Sequence, residues 1–425
     1  MRIRFWFVLG LCVSGISWLY VHRILEPWTN HVHASERTTQ MGDLYSPWVG
    51  TRELLLHRRN PYGRDVSREI QMVFYGHAIN QTYGTPGVAL VNEQRFAYPI
   101  YVVFLMGPTI FFDFSEVQRW APLVLGSLTA ISVVLYLQVL GWRLPWQAVT
   151  TLVLFTLSSP QIVQGLRLEQ LAVVVGFLLS TGAWCVNRNR LATGGMLLAF
   201  STIKPQMAII PLCWFAIWAL GDWRQRRRLV ASFIATLAVV IVAGELLCRG
   251  WPGYFLAGLA AYRKYFPTTS LLRVALGDTL GGVMGGLIAV ALLAFAWRNR
   301  KVAGDSPQFV SLLSLFFAGA ILAFPLLTPF NQVMLILPAM LILHDWKALP
   351  RPSRVIFAVI ISWPWFFSLV LLLFPPRLDS PSQIPLLPSL LVLFAPLILP
   401  LLLMTRPSEA SESQPSAAAS PLSGR

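Results

Sequence analysis

The chain has 425 residues, 56% of them hydrophobic and only 12% charged, against about 25% charged in a soluble globular protein. A large core does not account for so few charges, so a soluble fold is excluded. The net charge of +15, from 33 Lys and Arg against 18 Asp and Glu, would point to nucleic acid in a soluble chain. Here it reads as topology, because the basic residues of a membrane protein collect in cytoplasmic loops.

Twelve apolar runs are predicted to cross the bilayer as helices, at about 5–25, 119–140, 146–162, 169–186, 191–203, 206–220, 229–248, 277–297, 308–325, 330–346, 354–374 and 385–404. Arg2 and Arg4 before the first run resemble the start of a signal peptide. The run is long and no small-residue cleavage site follows, which favours an uncleaved first span. With twelve crossings and a cytoplasmic N-terminus, every basic cluster falls on the cytoplasmic side. Those clusters are Arg188 and Arg190, the arginines of 224–228, Arg298 to Lys301, and Lys347 to Arg354. A bacterial inner membrane suits this composition.

Residues 97–113 are apolar but short and carry Pro99 and Pro108, so they are predicted to be re-entrant or interfacial. The runs on either side of Lys204-Pro205 are also short, as expected of two helices meeting at a proline near the outer surface. The longest external loop is 26–96, with seven basic and seven acidic residues. Within it 45–57 and 65–83 are expected to be amphipathic interfacial helices. Residues 1–404 are thus one integral membrane unit, and 405–425, rich in Ser, Ala and Pro, are expected to be a disordered cytoplasmic tail. The four cysteines show no metal-type spacing and read as small buried hydrophobes.

Ionisable groups at membrane depth are costly and point to function. Asp43, Arg167, Glu169, Lys204 and Glu245 all fall on the outer side, and with Gln170, Gln206, Asn331 and Gln332 they can line one outer cavity. Each has a plainer alternative. Asp43 and Glu169 can cap helices, and Lys204 can snorkel to the interface. His57 and His77 read as surface residues, and His344 lies at a cytoplasmic helix end.

The stretch from Gly42-Asp-Leu-Tyr to Asn60-Pro-Tyr62 has an acid, then an aromatic helix, then a Pro-Tyr close. It resembles the first external loop of family 87 glycosyltransferases, polytopic enzymes of the GT-C superfamily. Phe96-Ala-Tyr-Pro99, Arg167-Leu-Glu-Gln170 and Ile203-Lys-Pro-Gln206 are similar to further elements of that family, and the likeness runs over roughly residues 40–350. Two departures stand out. Leu168-Glu-Gln170 replaces a common Gly-Gln-Asn turn, and Thr328-Pro-Phe-Asn-Gln-Val-Met334 lacks the histidine often found there. The resemblance implies a GT-C-like, all-α polytopic fold and transfer of a sugar, typically mannose, from a polyprenyl-phosphate donor to a lipid or glycan acceptor. It implies Asp43 as the base. Lys204 and Arg167, then Arg263 and Lys264, would stabilise the lipid phosphate, with Asn331 or Gln332 substituting for the histidine. Clustered carboxylates are absent, so neither a metal nor a cofactor is expected. A transporter or flippase is the competing reading. It is weakened by the lack of a clear repeat between the halves. A non-catalytic scaffold ranks last, because it leaves the acidic loop unexplained.

Overall fold

A backbone in hydrocarbon must satisfy its own polar groups, and helices do so within one segment. The computed structural model describes residues 2–28, 30, 41–79, 94–265, 270–323 and 328–375, and among them every regular element is helical. The chain is an all-α polytopic membrane protein. In order the helices are α1 (Arg2–Tyr20), α2 (Tyr45–His57), α3 (Arg64–Tyr75), α4 (Val102–Met106), α5 (Phe114–Val139) and α6 (Trp146–Leu157). There follow α7 (Pro160–Arg167), α8 (Leu171–Asn187), α9 (Leu191–Ser201), α10 (Pro205–Gly221), α11 (Trp223–Leu247) and α12 (Trp251–Tyr265). The last are α13 (Leu271–Leu276), α14 (Asp278–Arg298), α15 (Pro307–Ala323), α16 (Ile336–His344) and α17 (Arg351–Leu373), with a 3₁₀ segment, Pro329–Leu335, leading into α16.

Five helical stretches are long and apolar enough to cross a membrane: Arg4–Trp28, which includes a π-helical turn, then α5, α11, α14 and α17. Shorter apolar helices fill most of the other expected spans; α8, α10 and α15 have 17 residues each, about 25 Å of rise. The expected span 146–162 is instead the pair α6 and α7, bent by 64°. Pro160, at the first turn of α7, sets the break: it donates no backbone hydrogen bond and keeps Ser159 extended. The expected span 385–404 and the tail 405–425 lie outside the described residues.

Helices α8 and α15 form the middle of the bundle, with apolar side chains buried on every face. Helix α8 packs against α5 and α9, and α9 against α11. The last pair approaches closely because Gly195 of α9 faces the backbone of Leu229 and the hydroxyl of Ser232, where a Cβ would collide. Helices α11 and α14 turn most of their apolar side chains outward, as lipid-facing spans do.

The loop between the first two expected spans departs from its expected form. Helix α2 is no interfacial helix: residues from Ser46 to Leu54 are almost all buried, including Thr51 and Glu53. Trp48 donates to the Thr109 carbonyl at 3.2 Å, and Gly50 makes room for the Phe96 ring. Helix α3 does match the amphipathic pattern, burying Val66, Ile70 and Phe74 four residues apart, and ends at Gly76 with φ +69°. The rest of the 65–83 prediction lies beyond it, with 80–83 outside the described residues. Arg59 clamps the two helices through Glu53 at 2.7 Å, Asp65 at 3.0 Å and Glu69 at 2.7 Å. The 97–113 segment folds as α4 and a 3₁₀ turn over Val102–Phe111. At about 15 Å of rise it is too short to cross, and Val102, Val103 and Ile110 are buried in protein.

One end of the bundle gathers the basic loops. The Arg226 guanidinium, 9% exposed, donates to the carbonyls of Trp218 and Arg300 at 2.7 and 2.8 Å, and to those of Lys301 and Val302 at 3.4 and 2.8 Å. It also lies 4.0 Å from the centre of the Trp218 ring. This one side chain ties the α10–α11 turn to the chain after α14. Arg226→Met leaves several carbonyls without their donor. It is expected to destabilise the fold by about 2–4 kcal/mol, read as a lower thermal midpoint in detergent. An unchanged midpoint would show that the tie carries no load.

Candidate active site

The opposite end of the bundle is assembled from three chain breaks. The first is the turn between α7 and α8. Its Glu169 sits at φ +52°, in the left-handed region that non-glycine residues seldom occupy. The turn closes through Gln170 N–H on the Gly165 carbonyl at 2.8 Å. That leaves the Leu168 carbonyl free to accept the Asp43 amide, also at 2.8 Å. The loop that carries Asp43 thereby docks onto the turn by its backbone. Gly42 allows the approach, because a Cβ there would run into the Glu169 carboxyl group. Glu169 is only 2% exposed, with Gln118 of α5 beside its carboxyl group, and its Oε2 has no hydrogen-bond partner.

The second break is Lys204-Pro205. Proline at the first turn of α10 holds Lys204 at φ −120°, ψ 80°, outside helical geometry. Lys204 is 7% exposed, so its ammonium must find partners within the protein. It donates to the Gln170 side-chain oxygen at 2.7 Å and lies 5.0 Å from the centre of the Phe330 ring. Phe330 comes from the third break, the 3₁₀ segment before α16.

Gln170 joins the two charges. An ammonium only donates, so the amide oxygen of Gln170 faces Lys204 and its nitrogen faces Asp43. That nitrogen donates to Asp43 Oδ2. Asp43 does not cap α2, whose first turn has no side-chain cap bond. It stands in the loop before α2, where burial pushes its carboxyl up to about 6 while the Lys204 charge pulls it down. A carboxylate that titrates there accepts a proton more readily than a solvent-exposed aspartate.

The structure brings Asp43, Glu169, Gln170 and Lys204 together. Asn331 and Gln332 are buried on the same 3₁₀ segment as Phe330. Asn331 donates to the Thr328 hydroxyl at 2.6 Å, while Gln332 lines a cavity on the other side. Gln206 is exposed on the first turn of α10. Arg167 is directed elsewhere, its charge acting on Tyr20 and Glu26 at the end of α1. Arg263 and Lys264 lie on α12, with side chains outside the described residues. Among the described residues no three His, Cys, Asp or Glu side chains are grouped as a metal site would need. Sequence reasoning assigned no role of their own to Gln118, Phe330 and Gly42. Only Gly42 left a signal, as a glycine directly before the acid.

The Asn60-Pro-Tyr62 and Phe96-Ala-Tyr-Pro99 stretches support the site from behind. Tyr62 donates to the Tyr98 carbonyl at 2.7 Å and packs edge-on against Phe96. Tyr101 bonds the Thr202 hydroxyl at 2.8 Å, next to the Lys204 turn.

The family model Glycosyltransferase family 87 matches residues 96–329, more than half of the chain. The match takes in the Glu169 and Lys204 turns; Asp43 lies before it and Asn331 just after it. No curated protein and no solved structure matches the chain.

Lys204 lowers the affinity of Asp43 for its proton, so removing the charge must raise it. In Lys204→Gln the acid limb of the pH–rate profile is expected to move above its wild-type position near pH 6. A limb that stays in place would show that the two groups are not coupled.

Proposed function

The chain belongs to glycosyltransferase family 87, and from that premise we propose that it moves a hexose, mannose first, from a polyprenyl-phosphate sugar to a hydroxyl of a lipid or glycan acceptor. The reaction takes place at the outer face of a bacterial inner membrane, on a GT-C-like scaffold whose termini are cytoplasmic. The observation that carries this reading is the chain Lys204–Gln170–Asp43, in which a buried cation and a half-buried base share one buried amide.

An acceptor hydroxyl is a poor nucleophile until a positioned base takes its proton. Asp43 is that base. As the proton passes to its carboxylate, the acceptor oxygen bonds to the anomeric carbon. The bond from that carbon to the phosphate oxygen breaks, and its electron pair leaves with the lipid phosphate. Lys204 meets the growing negative charge, and a fixed ammonium in a water-poor site does so without reorganising. Gln170 holds the two at a set separation, and the ring of Phe330 keeps the ammonium in place. Arg263 and Lys264 are reserve cations for the phosphate, and Asn331 and Gln332 supply amides where relatives often carry a histidine. One base and one displacement invert the anomeric configuration.

Asp43→Asn preserves shape and removes the base. With a panel of polyprenyl-phosphate sugars and a membrane lipid extract, transfer by this variant is expected to drop by about 10²–10⁴-fold. Elution and thermal midpoint should match wild type. Full activity in the variant would remove Asp43 from the role. Absence of any product from wild type across the panel would count against the polyprenyl-phosphate donor itself.

A further inference from the structure

A cavity of 480 Å³ lies between α1, α6, α16 and α17, and the chemistry above does not use it. Its walls include Trp6, Ala148, Phe155, Ala339, Leu343 and Trp365, one or two from each of the four helices. Chain direction orders them along the bundle. Trp6, Ala148 and Leu343 stand toward the basic end, while Ser159, Gln161 and Gln332 stand toward the end that holds Asp43. The cavity is thus a slot along the membrane normal, apolar for most of its length and polar at one end.

The polar end contains an unsatisfied group. Gln332 is 4% exposed, and neither its amide nitrogen nor its amide oxygen has a protein partner. A buried amide in that condition costs about 1–3 kcal/mol, which a fold retains where a ligand repays it. Gln332 belongs to the same 3₁₀ segment as Phe330. In such a helix residues two apart point to different sides. Phe330 turns to Lys204 and Gln332 to the slot, so this one turn is the shared wall of slot and charged site.

We propose that the slot holds the isoprenoid chain of the donor lipid, with the Gln332 amide hydrogen-bonding the oxygens where chain meets phosphate. A slot of this volume suits one chain, whereas a two-chain acceptor lipid presents more than it holds. A chain seated here brings its phosphate to the turn that underlies Lys204. The inference rests on the proposed donor class, and its test separates the two.

Ala148→Phe and Ala339→Phe fill the slot from facing walls. Each is compared with wild type using mannose on a long-chain polyprenyl phosphate and mannose on geranyl phosphate. The long-chain donor is expected to lose about tenfold in kcat/KM, the geranyl donor less than about twofold. Gln332→Leu is expected to weaken both donors, because both reach the polar end. Equal loss on the two donors in the filled variants would overturn the assignment. So would a change confined to the KM of the lipid acceptor, which would assign the slot to the acceptor's chain. A readout independent of activity and of the variants' folding is photolabelling of wild type by a long-chain polyprenyl phosphate carrying a diazirine near its tail. Labels on α6 and α16 support the slot, and labels confined to other helices overturn it whether or not mannose is the sugar transferred.

Discussion

A lysine buried at a proline break needs an acceptor, and that requirement organises the functional end of the molecule. Lys204 cannot point along a helix, because Pro205 prevents one, and at 7% exposure it does not reach solvent. Gln170 supplies the acceptor, and in doing so turns its amide nitrogen toward the loop before α2. That nitrogen and the Leu168 carbonyl hold Asp43 by side chain and backbone together. The strained turn at Glu169, the glycine at position 42 and the Phe330 ring all serve the same small volume. A left-handed non-glycine residue costs about 1–2 kcal/mol, and such residues concentrate where function requires a particular backbone.

The two ends of the bundle divide their tasks. At the basic end, Arg226 binds carbonyls from two loops and fixes how α10 and α11 meet the chain after α14. At the other end the contacts involve side chains that chemistry can use. A membrane helix gains little from apolar contact alone, since lipid is as apolar as its neighbours. Close backbone approach, as at Gly195, and multiply bonded polar groups, as at Arg226, therefore determine which helices are neighbours.

Much of this was legible in the sequence, for identifiable reasons. Apolar length marked the membrane segments, and Lys204-Pro205 announced a break because proline acts locally. The bend at Ser159-Pro160 used the same signal but lay inside an unbroken apolar run, where hydropathy hides it. Asp43 was legible through its resemblance to a family loop, since nothing near it in sequence reports Leu168 or Gln170, more than a hundred residues away. Gln118 and Phe330 were not legible, because their roles depend on where α5 and the 3₁₀ segment lie relative to α8. Arg167 was the instructive miss. It stands two residues from Glu169, but at the end of α7 it looks toward α1, because the left-handed turn separates their directions. Helix α2 was misjudged for a related reason: Phe96 and Thr109, distant in sequence, cover the surface that its composition appeared to leave for lipid headgroups.

The amide of Gln170 has one further effect. Its oxygen is held by an ammonium, which fixes the sense of the amide and leaves its nitrogen to engage one oxygen of Asp43. The two carboxylate oxygens are therefore inequivalent before any substrate arrives. Only Oδ1 retains its full complement of lone pairs, and an incoming hydrogen must approach along them. The site thus has a fixed sidedness, imposed by a neutral residue that itself exchanges no proton.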